Sequence, residues 1–121
     1  MNTQEIANDL VALCKQGKFD ESGEKYWADD VVSIEAGGPP GMDPVSRGKD
    51  AVRGKGEWWA NAHDIHSAEA EGPYVNGDQF IVRFKLDTTV KETGQRSQMD
   101  ETALYTVKDG KIVEERFFYG S

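Results

Sequence analysis

Apolar and charged residues alternate along the segment that begins at Phe80. Phe80, Val82, Phe84 and Leu86 recur at every second position, with Arg83, Lys85 and Asp87 as their charged neighbours. A period of two sorts side chains onto opposite faces, so this segment is a half-buried antiparallel strand. Turn signals punctuate the chain around it, at Gly72-Pro73, Asn76-Gly77, Thr93-Gly94 and Asp109-Gly110. From about residue 65 to the end the sequence therefore reads as an antiparallel sheet built from hairpins.

Helix signals come before the sheet. Asn2 can cap a helix with Glu5 at its third position, and Ile6, Leu10, Leu13 and Cys14 follow at helical spacing. The spacing predicts helices near 3–16, 20–28 and 48–62. The second carries Phe19, Gly23, Tyr26 and Trp27 on one face, and the third is weakened by Gly54 and Gly56. Val31 to Glu35 reads as a strand. Gly37 to Ser46, with three glycines and three prolines, reads as a loop. Helices grouped before a meander indicate an α+β domain with helices on one face of the sheet. A chain of 121 residues fits one such domain, spanning 1–121.

Charge and composition exclude several functions. The net charge of −8 argues against a nucleic-acid partner and against an anionic membrane surface. The N-terminus lacks the basic start and apolar stretch of a signal peptide. A lone cysteine, Cys14, cannot form an internal disulfide and points to a reducing, cytoplasmic home. No glycine-rich loop follows a strand as a phosphate cradle would require, and no cofactor is implied.

Hairpin geometry assigns the sheet faces. A two-residue turn at Thr93-Gly94 would set Leu86 opposite Glu101. A three-residue turn at Lys108 to Gly110 would set Ala103 opposite Glu115. The inner face then holds Phe80, Val82, Phe84, Leu86, Met99, Ala103, Tyr105, Val113, Phe117 and Tyr119. Two acids share it: Glu101 and Glu115, expected as diagonal neighbours on adjacent strands. Apolar burial and a neighbouring carboxylate each raise a carboxyl pKa, which suits proton exchange near neutrality. The bland alternative is a shifted register, or glutamates reaching water at the sheet margin.

Met99 to Tyr119, with Asp109-Gly110-Lys111-Ile112 at its turn and an aromatic last strand, resembles the terminal hairpin of SnoaL-like domains. These belong to the nuclear-transport-factor-2-like superfamily. Gly17-Lys18-Phe19, Tyr26 to Val32 and Gly48 to Val52 fit the same pattern. The resemblance implies a cone-shaped α+β barrel, with three N-terminal helices packed on a strongly bent antiparallel sheet around a pocket. It also implies homodimers through the outer sheet face, for which Leu104, Ile112 and Phe118 are the expected contacts. Members include isomerases, cyclases, epoxide hydrolases, dehydratases and non-catalytic domains, so fold does not fix function. Glu115 falls on the last strand, where the epoxide hydrolase group carries a pocket carboxylate.

The expected ligand is a small apolar or amphipathic molecule. Glu101 or Glu115 would carry the proton, with Tyr105 or His66 assisting. Trp27, Trp58, Trp59, His63, Phe84, Met99, Phe117 and Tyr119 are the candidate pocket residues. His63 and His66 lack a third ligand at metal-binding spacing, so no metal is expected. The alternative is a non-catalytic dimeric module that uses its sheet for partner contact.

Overall fold

The computed structural model describes residues 1–38 and 40–120. Pro39, inside the segment expected as loop, and Ser121 lie outside the described residues. The elements run α1 (Thr3–Lys15), α2 (Phe19–Tyr26), β1 (Trp27–Ile34), β2 (Val45–Arg47), α3 (Lys49–Ala62), β3 (His63–Asn76), β4 (Gln79–Val90), β5 (Arg96–Lys108) and β6 (Lys111–Phe118). Asn2 closes a capping box on α1: its side chain accepts from the Glu5 amide at 2.9 Å, and the Glu5 carboxylate accepts from the Asn2 amide at 3.1 Å. The buried stripe of α1 is Ile6, Ala7, Leu10, Val11 and Cys14. The helix packs mainly on β3 and α2, and less on β4.

Among the described residues the sheet has six strands in the order β2-β1-β6-β5-β4-β3, and it does not close. From β3 to β6 it is antiparallel, as the alternation predicts. β1 pairs in parallel with β6, so the sheet is mixed rather than wholly antiparallel. The cause is the long connection through α3, which carries the chain to the far edge before the meander returns to β1. The core is continuous from α1 and α2 to the inner face, where Phe80, Val82, Ala103, Tyr105 and Ile112 are buried. Bulges in β3, between Ile65 and Ser67 and between Glu71 and Tyr74, add local bend.

Three further details differ from expectation. Trp27 begins β1 rather than ending α2, because it already has extended geometry (φ −62°, ψ 131°). A three-residue strand, β2, begins inside the segment expected as loop, ends one residue beyond it at Arg47, and pairs with Val32 to Ile34. Both hairpin registers are displaced by two residues. Lys91 to Gln95 connect β4 and β5 in place of a tight turn, so Phe84, not Leu86, faces Glu101.

At the last hairpin, Asp109 (φ 53°) and Gly110 (φ 75°) form a two-residue turn with both residues left-handed. That turn alone would reverse the faces of β6. A bulge at Val113 inserts one residue and restores them, so Tyr105 faces Glu115 and Ala103 faces Phe117. Displacement by an even number leaves every side chain beyond the bulge on its expected face. Before the bulge the faces do exchange. Ile112, expected on the outer face as a dimer contact, is fully buried, whereas Val113, expected inside, is half-buried.

Candidate functional site

Glu115 lies in the middle of a cross-strand row on the inner face. Ser33 of β1 is its neighbour on one side and Tyr105 of β5 on the other. Each of its carboxylate oxygens has a donor: the Trp27 indole N–H on Oε1 at 2.6 Å, and the Ser33 hydroxyl on Oε2 at 2.9 Å. Only 5 % of the residue is exposed. Burial pushes its pKa up, while the Lys55 charge and the Trp27 and Ser33 donors oppose the rise.

Lys55 reaches this row from α3. Its ammonium donates to the Ser33 hydroxyl, pairs with Glu35 at 2.8 Å and stands 5.2 Å from the centre of the Phe117 ring. Tyr119 ties the far end of the network down. Its hydroxyl lies 3.0 Å from the Gly37 carbonyl and 3.2 Å from Glu35, either of which can accept its one proton, and it accepts from the Gly37 amide at 3.3 Å.

Glu101 is different. It is half-buried, yet no described residue hydrogen-bonds or ion-pairs with its carboxylate. Burial and then the Glu35 charge raise its pKa to about 7, with Lys55 pulling the other way. Glu115 contributes least, because the observed register makes the two glutamates more distant than expected. Tyr105, four residues from Glu101 along β5, is the cross-strand partner of Glu115. The acids are thus separated by about 13 Å of strand at 3.3 Å per residue, and are not diagonal neighbours. The acid that acts most on Glu101 is Glu35.

The remaining candidates divide. Tyr105 is buried and stacked on Phe80, with ring centroids 4.8 Å apart, and its hydroxyl has no hydrogen bond to any described residue. Phe84 is buried edge-on to Phe19, and Met99 is half-buried opposite Leu86. His66 does not join the group. It is exposed and bonds Thr89 on the outer face at 2.7 Å. Trp59 stacks on His63, whose Nδ1 lies 2.8 Å from the Trp59 carbonyl, and Trp58 is 50 % exposed. Ser33, Glu35 and Lys55 were not singled out from the sequence. Alternation along Val31 to Glu35 was the available signal for the first two.

Two concavities, of about 470 and 440 Å³, lie away from the glutamates. Arg83, Glu69 and Lys85 line the first, and Lys85, Asp87 and Asp100 line the second. Among the described residues no three His, Cys, Asp or Glu side chains converge as a metal site. No helix is long and apolar enough to cross a membrane.

Gly23 positions the deepest donor. A Cβ there would come within 3.0 Å of the Trp27 indole ring. Gly23→Ala is therefore expected to destabilise by about 1–3 kcal/mol, as overpacking does, despite the gain of about 1 kcal/mol in helix propensity. Denaturant melts would record the loss, and a shifted Trp27 emission would show the indole leaving Glu115.

A family model described as SnoaL-like domain matches residues 1–119. A crystal structure of a candidate SnoaL-like polyketide cyclase, bracketed as carbohydrate phosphatase, from Mesorhizobium loti is 55% identical. It has a TM-score of 0.93 and covers 98% of this chain and 100% of its own. A candidate isomerase from Bacillus subtilis is 23% identical, with a TM-score of 0.79 over 99% of this chain and 90% of its own. A nuclear-transport-factor-2-like protein from Burkholderia xenovorans is 22% identical, with a TM-score of 0.79 over 99% and 92%. No curated protein sequence matches the chain.

Proposed function

We propose that this chain, which belongs to the SnoaL-like domain family, binds a small apolar or amphipathic molecule and exchanges a proton with it through Glu101, without a cofactor. The observation that carries this reading is the isolation of Glu101: a half-buried carboxyl opposite Phe84 on the inner face, with no partner among the described residues, whose pKa burial and the Glu35 charge raise to about 7. A group that gains and loses a proton close to the working pH is an effective general acid or base. Glu115 has both oxygens occupied, so its role is to hold Trp27 and Ser33 in place. Tyr105 offers a free hydroxyl to a ligand. Similarity to proteins named polyketide cyclase and isomerase supports a reaction of the cyclisation or isomerisation type; dehydration and hydrolysis are the further types that the same acid–base chemistry allows.

The test is turnover of small ketones, epoxides and hydroxy compounds, read by product formation and by deuterium uptake from solvent. For the class that reacts, Glu101→Gln is expected to lower kcat/KM by about 10²–10⁴-fold. Turnover that survives this substitution rejects the role of Glu101.

A second reading, a non-catalytic homodimeric module, is favoured by the outer sheet face. Tyr74, Ile81 and Leu104 form a cross-strand row there, and Tyr74 and Ile81 are exposed, as is Phe118 nearby. The homodimer contact belongs on this row, without Ile112. Light scattering should give twice the chain mass at micromolar concentration, and a monomer would remove the reading. A cytoplasmic home is part of the same proposal and rests on the lone Cys14.

A further inference from the structure

β3 is the last strand of the sheet, so its far side has no neighbouring strand among the described residues. Alternate residues of an edge strand point their N–H and C=O groups away from the ladder. Along much of β3 this edge is interrupted. One bulge falls between Ile65 and Ser67 and another between Glu71 and Tyr74, and Pro73 within the second has no N–H to offer. Between the bulges the register is regular: Ser67, Ala68, Glu69, Ala70 and Glu71 face Asp87, Leu86, Lys85, Phe84 and Arg83 in unbroken order. A straight free edge of five residues remains, about 17 Å long. Outside the ladder, none of 67–71 has a backbone hydrogen bond to another described residue.

The space beside this edge is open. Every residue from Ala68 to Gly72 lines the 470 Å³ concavity, with Lys15 of α1 at its side, and the 440 Å³ concavity touches Ser67 and Glu69. Ala68 and Ala70 share the inner face with Leu86 and Phe84, and their short side chains leave room beside them. Glu69 and Glu71 lie on the outer face, both exposed. Arg83 stands 3.8 Å from Glu71 but is already held by Asp100 at 2.6 and 2.9 Å. Glu69 has no ion pair with any described residue. The charges carried by the edge itself are therefore acidic, and the cations of β4 stand one strand further in.

We propose that residues 67–71 take up one extended segment of a partner protein as an added strand, with basic side chains on the outer face and apolar ones on the inner face. Main-chain hydrogen bonds would supply the pairing, as in other strand additions. Basic side chains at alternate positions would meet Glu69 and Glu71 across the new pair. Apolar side chains between them would fill the space beside Ala68 and Ala70, against the aliphatic stem of Lys15. The net charge of −8 favours the approach of a basic segment. A second copy of the chain is the poorer occupant. Pairing 67–71 antiparallel with itself sets Glu69 against its own counterpart, and like charges directly opposite repel.

The experiment uses the unaltered protein and three capped, dye-labelled five-residue peptides. One alternates lysine with valine, and the second alternates glutamate with valine. The third repeats the lysine–valine sequence with every backbone nitrogen methylated, which keeps the charge and removes the pairing. Fluorescence anisotropy follows binding in about 0.15 M salt, where long-range attraction is screened. The lysine–valine peptide should saturate below about 1 mM and bind about tenfold more tightly than either of the others. Amide exchange within 67–71 should slow about tenfold in its presence, and exchange in β5 should not change. Glu69→Gln combined with Glu71→Gln should lower its affinity about tenfold. Absence of saturation, equal binding of the glutamate–valine peptide, or protection outside 67–71 would overturn the proposal. Equal binding of the methylated peptide would overturn it too, because net charge alone would then explain the attraction. Exchange at 67–71 that slows with protein concentration alone would give the edge to a second copy and overturn it as well. The peptide and exchange arms need no variant, so a misfolded double variant would not protect it.

Discussion

Glu101→Gln is expected to stabilise the protein at pH 8 by about 3 kcal/mol, the free energy of a carboxyl raised from its ordinary range to about 7. The sign follows from proton counting. Below the unfolded value, near 4.3, the carboxyl is protonated in both states and contributes nothing. Between that value and about 7 the unfolded chain ionises while the folded one keeps its proton, so stability falls with every unit of pH. Above about 7 the full penalty is present. Gln has nearly the same shape and cannot ionise, so the variant should lack this slope. Urea denaturation of both proteins from pH 4 to pH 8 measures it. Parallel stability curves would mean that Glu101 is solvated or paired, and the acid–base reading would fall with the result.

Glu115→Ala should have the opposite sign. The substitution strips the Trp27 N–H and the Ser33 hydroxyl of their acceptor in a site that is 95 % buried by the 5 % exposure of Glu115. Each unsatisfied buried donor costs about 1–3 kcal/mol, so a loss of about 3 kcal/mol or more is expected at pH 7. Glu115→Gln should fall between the wild type and Ala, because its carbonyl can still accept from Trp27 while its amide opposes Ser33. The same melts read the result, with Trp27 emission as a local probe. A neutral Glu115→Ala would show that the two hydrogen bonds do not hold the row together. The two glutamates therefore differ in kind, one a group without partners and the other a structural acceptor.

This distinction could not be drawn from sequence. The faces could, because alternation along Phe80 to Leu86 and along β5 has a period of two that survives an even displacement of register. Both acids were accordingly assigned to the inner face, where the structure places them. Their mutual distance depends on the exact register, which rested on turn lengths. The five-residue connection 91–95 moved one strand by two residues, and the two-residue turn together with the Val113 bulge moved the other by two. Lys55 was invisible for another reason. It lies between Gly54 and Gly56 in a helix with a single buried residue, Val52, so no apolar stripe showed which side faces the sheet. Ser33 joins Glu115 only through the parallel β1–β6 pairing, between residues 82 positions apart. His66 failed because it sits at a bulge in β3, where alternation stops indicating a face.

The bulge at Val113 makes the last strand sensitive to reading frame in the geometric sense. Deleting Val113 would remove the bulge and keep Glu115 opposite Tyr105, but inserting one more residue beside it, with the bulge kept, would leave the Asp109-Gly110 turn unchanged and shift every later residue by one. Glu114 and Arg116 would then point inward, and Glu115 and Phe117 would face water. A substitution at Val113 alters one half-buried side chain, whereas an insertion beside it turns the strand inside out. Chain length between this turn and Glu115 is thus under tighter constraint than residue identity, and tolerance to insertions should be lower there than in the 91–95 connection.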